Sequence, residues 1–579
     1  MKQDYEVQES DVLVIGGGMA ALSAAIRAKD FADKVTLVEK AKVGRSGASI
    51  YCHAYGAPVP DDAFERRIKE MVRQSGYLGD QSWCEIYVRE IGERQHDMEK
   101  WGVLFEKDEQ GNLKRDEIRG MGPKFMALAF GKQVIEAMAQ YALSTGVKVV
   151  ERVAVTDLLT SDGNYPTEGH IVGAVGINTR TGQFVVFRSK AVVITTGMIS
   201  GKLHRIWMDN VTGDGHAMAF RAEAEIGGME FSPSMFGVWN RKFTTGGQGQ
   251  FQYGGTKLVN RLGEEFLYKY EGASKEFIGF EGREPWGELS RAIAVEILEG
   301  RGPVYFDCRA WSQEKIDKMR KLQPFVMMSF DEQGVNMKKD LVEGTPMVGT
   351  YDNICQSGIR VNTLSESTIR GLYAAGAAAM YGAVTIPQGM CLVGGYRAGG
   401  NAAKWARDIE FADNFSVQAR RLREAMFLPL QIKEGISPDQ IYYSVNKVVT
   451  PWGASIFKHE ERIREVLGEI RRIARDDLPR IKARDSHELV KATEARNFVL
   501  LMELHNLAAL ERKESRMTHY REEYPYTDDR NWLKWILLKH DGKGGVQLKI
   551  EPVPLGRSAI IPDALTRKPM PVQYKMRRP

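Results

Sequence analysis

Gly16, Gly17 and Gly18 follow the buried-strand run 11–15 (DVLVI) and lead into the small-residue segment 20–28. Strand, glycine turn and helix in that order suit a dinucleotide pyrophosphate. Gly16 permits the tight turn, Gly18 lets the backbone approach the phosphates, and the helix N-terminus receives their negative charge. Ala21 stands where the third glycine of such motifs lets helix and strand pack closely. A second strand, residues 34–38, ends at Glu39, at the roughly 20-residue spacing from which an acid accepts both ribose hydroxyls. The chemistry implied is dinucleotide binding, and this motif alone does not separate NAD from FAD.

Several elements must carry this turn. Residues 148–151, 171–177, 183–188 and 190–194 have β-branched runs bounded by turn residues, and predict an inserted antiparallel meander ending at Thr195-Thr196-Gly197. Residues 371–376 (GLYAAG) predict another strand terminating in glycine, followed by a glycine-rich stretch and a helix to about residue 409. A closing strand more than 300 residues after the first implies a large insertion, roughly between 236 and 350. From about 415 the apolar spacing becomes helical, and 455–477 and 486–512 read as long antiparallel helices. The last forty residues read as short strands and loops with a basic end (Arg567, Lys568, Lys575, Arg577, Arg578), either a solvated tail or a docking surface.

The 579 residues carry a net charge of +5, too diffuse for nucleic acid. Five cysteines (Cys52, Cys84, Cys308, Cys355, Cys391) with no C-x-x-C pair exclude a disulfide framework and an internal cysteine-ligated cluster. No secretory signal is visible, and the apolar run near 497–510 is broken by Glu503 and His505 and too short to span a bilayer. The expectation is a cytoplasmic protein.

The stretches GGGMAALSAAI, VEK with GRSGAS, ITTG, VTGDGHAMAFRA and GLYAAG together resemble the succinate dehydrogenase/fumarate reductase flavoprotein family, which includes L-aspartate oxidase and the adenylylsulfate reductase flavoprotein. SRAIAVEILEGRGPVYFD (290–307) and ERKESRMTHYREEYPYTDDRNWL (511–533) make the likeness specific. It covers residues 8 to 540. The fold implied is α/β: a Rossmann-like FAD-binding domain (1–235 plus 351–414), an inserted α+β capping domain (236–350) and a C-terminal helical domain (415–533), with a strand and loop tail at 534–579. The cofactor implied is non-covalent FAD, because the attaching His of R-S-H is replaced in Arg45-Ser46-Gly47. The resemblance assigns to FAD Gly16, Gly18, Met19, Ala20, Glu39, Lys40, Arg45, Ser46, Gly47, Ala154, Thr196, Gly197, Asp214, Gly376, Met390, Cys391 and Leu392. Ala377 stands where the family carries an acid for the ribityl chain.

Fumarate and succinate enzymes clamp a dicarboxylate with His, Thr, Glu and Arg, and such a substrate requires cations. Here the first His falls on Ser232, the Glu on Thr245, the proton-delivering Arg on Trp286 and the second His near Asn353. The run AVTIPQG (383–389), where the last Arg is expected, has no cation. Trp286, Met390, Tyr396 and Asn353 either line a pocket for a larger substrate or, through Trp286, close it. His53 stands at a glycine of the family pattern beside the reacting face, placed to move a proton during hydride transfer at flavin N5, or to bond backbone beneath the flavin. Tyr55 and Arg291 complete the catalytic candidates, with Arg291 also readable as a structural ion pair.

Two functions follow. One is an FAD-dependent oxidoreductase subunit exchanging electrons with a ferredoxin-like iron–sulfur subunit in a hetero-oligomer, acting on a substrate that is not a C4 dicarboxylate; an adenylylsulfate-reductase-like enzyme is a sub-case. The other is an electron-relay subunit without its own substrate. The insertion has no place in an NAD-linked dehydrogenase.

Overall fold

A computed structural model describes residues 5–576 except 53, 117–125, 203–209, 232–234, 241–242, 246–255, 271–284, 323, 349–356 and 383–386. Strand β1 (Glu6–Ile15) enters the interior with Val12, Leu13 and Val14 fully buried, as a strand covered on both faces must be. Helix α1 (Met19–Lys29) follows, then β2 (Val35–Glu39), parallel to β1 with Ile15 opposite Val38. Beyond β2 lies β3 (Lys148–Glu151), also parallel.

The meander is β4 (Val153–Thr160), β5 (Ile171–Asn178) and β6 (Phe184–Ile194), paired antiparallel in sequence. The strand expected at 148–151 therefore belongs to the parallel side of the sheet. β4 is the meander strand that the sequence reading lacks, because Arg152, at φ 62°, turns the chain between two β-prone runs. The two runs at 183–188 and 190–194 are one strand. Arg188 does not interrupt it, since its guanidinium is met by Glu9 on the neighbouring strand at 2.6 Å. One edge of β6 runs along β1; the other pairs with β5 and then with β7 (Leu372–Ala374), which closes the sheet.

α1 is built from small residues because α4 lies directly on it. With α2 (Asp214–Arg221) and α3 (Pro285–Leu298) between them in the chain, α4 spans Pro387–Arg407. A Cβ at Gly399 would stand 2.0 Å from the Ala24 carbonyl oxygen, so only glycine permits this approach.

Residues 235–347 hold a separate five-stranded antiparallel sheet in the order 243–245, 235–240, 342–347, 304–307 and 257–260. The C-terminal region contains α5 (Glu460–Arg472) and α6 (Ser486–Glu511), the latter capped by Asp485, whose Oδ1 accepts the Glu488 amide at 2.8 Å. The residues after 533 do more than trail off. β8 (Lys534–His540) and β9 (Val546–Pro552) form a hairpin, and β8 pairs with residues 226–227 through Ile226 opposite Leu538. Among the described residues no helix is long and apolar enough to cross a membrane.

Candidate functional site

A cleft of about 360 Å³ opens at the carboxyl ends of β1, β2 and β6. Gly16 makes its first turn: φ is +125°, and a Cβ there would lie 2.5 Å from the Thr195 carbonyl oxygen. The first amides of α1 have no partner within the helix and point into the cleft, an anion-binding arrangement. Ser49 Oγ accepts one of them, from Met19, at 3.3 Å. A Cβ at Gly17 would stand 2.8 Å from Glu39 Oε2, so the carboxylate lies against the glycine turn. Its Oε1 accepts the Ala41 amide at 2.9 Å and the Ser46 hydroxyl at 3.2 Å, which fixes its aim.

Beyond Glu39 the rim is ionic. Lys40 donates to Glu494 Oε1 at 2.7 Å, to Thr212 Oγ1 at 2.9 Å and to Asp214 Oδ2 at 3.1 Å. Lys202 donates to the other oxygen of Glu494, and Asn497 to Asp214 Oδ1 at 2.9 Å. Burial works against charge on Lys40, but Asp214 and Glu494 outweigh it and hold its pKa above the ordinary value. Burial likewise works against Asp214, where the Lys40 charge and the bonds from Thr212 and Asn497 prevail and keep the carboxyl below its usual range. The rim is thus two cations balanced by two carboxylates.

The cleft brings together Gly16, Gly18, Met19, Ala20, Glu39, Lys40, Ser46, Gly47, Thr196, Gly197, Asp214 and Cys391 from the sequence expectations. Others lie elsewhere. Ala154 packs into an apolar layer with Leu159 and Val175 while Val153 and Val155 meet the cleft, as alternation along β4 dictates. Met390 and Leu392 are core residues on either side of Cys391. Gly376 packs against Ala20, leaving Ala377 on the cleft, and Arg45 is exposed away from it. Arg291 is buried on α3, donates to the Met517 carbonyl at 3.1 Å and lies 5.3 Å from the Tyr520 ring. Tyr55 is buried, its hydroxyl donates to the Cys52 carbonyl at 3.4 Å, and burial pushes the phenol well above 10. Tyr396 stacks between Arg27 and Arg94, at 4.5 and 3.6 Å, rather than lining a pocket. His53, Asn353 and the side chain of Trp286 lie outside the described residues.

Cys52 lies in the cleft with Cys391, as the resemblance implies, whereas several other cleft residues escaped sequence reasoning: Gln388, whose amide donates to the Cys52 sulfur at 3.1 Å, and Arg152, Lys202, Val490, Lys491 and Glu494. The α6 residues sit in the first half of that helix with no motif around them, and only tertiary packing brings them to β2.

Residues 11–401 match the FAD binding domain family and residues 449–569 the fumarate reductase flavoprotein C-terminal family. The chain belongs to the succinate dehydrogenase/fumarate reductase flavoprotein family. One of the subunits of fumarate reductase (CoM/CoB) from Methanothermobacter marburgensis is 26% identical, over 96% of this chain and 100% of its own. The 8-methylmenaquinol:fumarate reductase flavoprotein subunit of Wolinella succinogenes is 27% identical, over 94% and 90%. An uncharacterised FAD-dependent oxidoreductase of Methanocaldococcus jannaschii is 27% identical, over 92% and 96%. In fold the chain is similar to E. coli quinol fumarate reductase, with a TM-score of 0.84 at 22% identity over 95% of this chain and 98% of that one. It is also similar to adenylylsulfate reductase of Archaeoglobus fulgidus, with a TM-score of 0.80 at 22% identity over 95% and 97%.

This flavoprotein is an FAD-dependent oxidoreductase, with the FAD-binding, capping and C-terminal domains of its family. Its cleft fits the cofactor. The α1 N-terminus offers its first amides to a pyrophosphate beyond a turn that only glycine makes at residue 16, and Glu39 stands against that turn for a ribose. When bound, FAD supplies a two-electron hydride acceptor or donor at N5.

Proposed function

We propose that this flavoprotein oxidises or reduces a substrate other than a C4 dicarboxylate and exchanges the electrons with a separate iron–sulfur subunit. The observation that carries the reading is the charge distribution along the cleft. With the pyrophosphate at the α1 N-terminus and the adenosine at Glu39, the isoalloxazine falls to the opposite end. The described cleft residues there are Ala48, Ser49, Cys52, Ala377, Gln388 and Cys391, all neutral, whereas Lys40, Arg152, Lys202 and Lys491 stand at the adenosine end. Two carboxylates in a dry site need cationic donors, and Ser232, Thr245, Trp286 and Asn353 offer none. Gly47, in the position that carries an attaching His in R-S-H, has no side chain to bond the flavin, so FAD is held non-covalently.

In this reading the chain's own residues divide the work. The first turn of α1 holds the phosphates, and Glu39 orients the ribose. His53, next in sequence to the cleft residue Cys52, gives or takes the substrate proton as hydride moves. The partner is supported by the C-terminal family match and by two relatives whose names make them subunits.

Anaerobic isolation from the native host, with the absorption spectrum and subunit composition recorded, tests the partner. Broad iron–sulfur absorbance with a stoichiometric second chain is expected, and a lone yellow protein would contradict it. His53→Ala should leave the flavin spectrum intact and slow substrate-linked flavin reduction by about 10²- to 10⁴-fold, the range for loss of a general acid or base. Unchanged rates would remove His53 from the mechanism.

A further inference from the structure

Two distant parts of the chain wall the cleft. β1, α1 and β2 supply one wall, while His487, Val490, Lys491 and Glu494 come from the first half of α6. These four recur at spacings of one, three and four, so they share a helix face. Glu494, its side chain 8% exposed, grips Lys40 at 2.7 Å, and Lys40 immediately follows the ribose-side acid Glu39. One turn further along, Asn497 donates to Asp214 at 2.9 Å and accepts from Arg221 at 2.8 Å, so α6 is also fastened to α2. Val490 is buried yet lines the cleft, in company with Val153 and Val155 of β4.

We propose that α6 is part of the FAD site and encloses its adenosine half. Val490, Val153 and Val155 supply the apolar surface that a purine ring takes, of the kind that lines nucleotide pockets. Glu494 latches the helix to the cleft rim, and with Asp214 it neutralises Lys40 and Lys202. FAD release then requires the Lys40–Glu494 pair to open, and FAD binding and docking of the C-terminal helices stabilise each other. The proposal rests on FAD as the cofactor and is independent of which substrate the enzyme takes.

The test compares FAD with FMN, which lacks the AMP half, by flavin fluorescence and dissociation of both from apoprotein. Val490→Trp fills the adenosine end, and Glu494→Gln leaves the two lysines one anion short. Each should raise the dissociation constant for FAD at least about tenfold, as loss of a desolvated contact or charge pair does, with FMN affinity unchanged. The apoprotein melting temperature of Val490→Trp should stay near wild type, so that variant decides the matter if Glu494→Gln fails to fold. Wild-type FAD affinity in the folded variants, or equal loss of FAD and FMN, would overturn the proposal; the second result would make α6 a support of the fold alone. A wild-type apoprotein that binds FMN as tightly as FAD would overturn the placement of adenosine itself.

Discussion

Gly16 concentrates the local physics of the site in one residue. Its φ of +125° is closed to side chains, and a Cβ would collide with the Thr195 carbonyl at 2.5 Å. Gly16→Ala should therefore cost about 1–3 kcal/mol in backbone strain alone and displace β6 from β1. A lower melting temperature and a reduced flavin-to-protein ratio, read together, check this. Lys458 makes a different prediction. It is fully buried, with Nζ donating to the Ser455 carbonyl at 3.1 Å. Burial, with Arg521 and Arg291 nearby and Glu230 opposing, pulls its pKa from 10.5 down to about 7. Between those values the unfolded chain binds more protons than the folded one, so this residue's contribution to stability rises with pH across that window. Below about pH 7 the burial penalty is present in full. Lys458→Met should accordingly raise the melting temperature most at pH 6–7 and lose that advantage as pH approaches 10; a difference independent of pH would show that the lysine is not held neutral.

At the scale of elements, the parallel strands around the glycine turn were legible because burial on both faces leaves continuous apolar runs. The meander was less so. Arg152 breaks one apparent strand into β3 and β4, whereas Arg188, paired with Glu9, fails to break β6, and neither outcome follows from residue type alone. The helices at 460–472 and 486–511 were plain from their spacing, but the role of α6 in the cleft was not, since Glu494 and Lys40 are 454 positions apart. The placement of β8 was equally hidden: a short apolar strand at the chain's end gives no sign that it pairs with residues 226–227. Leu538 there is fully buried, so Leu538→Ala should cost about 2–5 kcal/mol, measurable by denaturant unfolding of the holoprotein. A loss under about 0.5 kcal/mol, typical of surface positions, would mean that the hairpin is peripheral to stability.

Across the whole molecule, the dinucleotide machinery follows the family closely while the reacting end departs from it. The glycine turn, Glu39, Thr196, Gly197 and Asp214 meet in one cleft as their motifs imply. The cations of that cleft, however, gather at the adenosine end, where Lys40 and Lys202 are spent against Glu494 and Asp214, with none among the described cleft residues near Cys52 and Gln388. Sequence made this absence legible because charged residues stand or fail to stand at single positions; it could not place Trp286 or Asn353 around a substrate, since that depends on how the capping region meets the cleft. We infer that a flavin end whose described cleft residues are all neutral leaves dicarboxylate chemistry without its cations in a fumarate-reductase fold. The most direct test is to photoreduce the holoprotein anaerobically, mix it with excess fumarate in a stopped-flow cell and follow the flavin's visible absorbance. The flavin should stay reduced until a different oxidant is added. Reoxidation by fumarate at a turnover rate of about 1 s⁻¹ or faster, the lower end of ordinary enzymes, would contradict it.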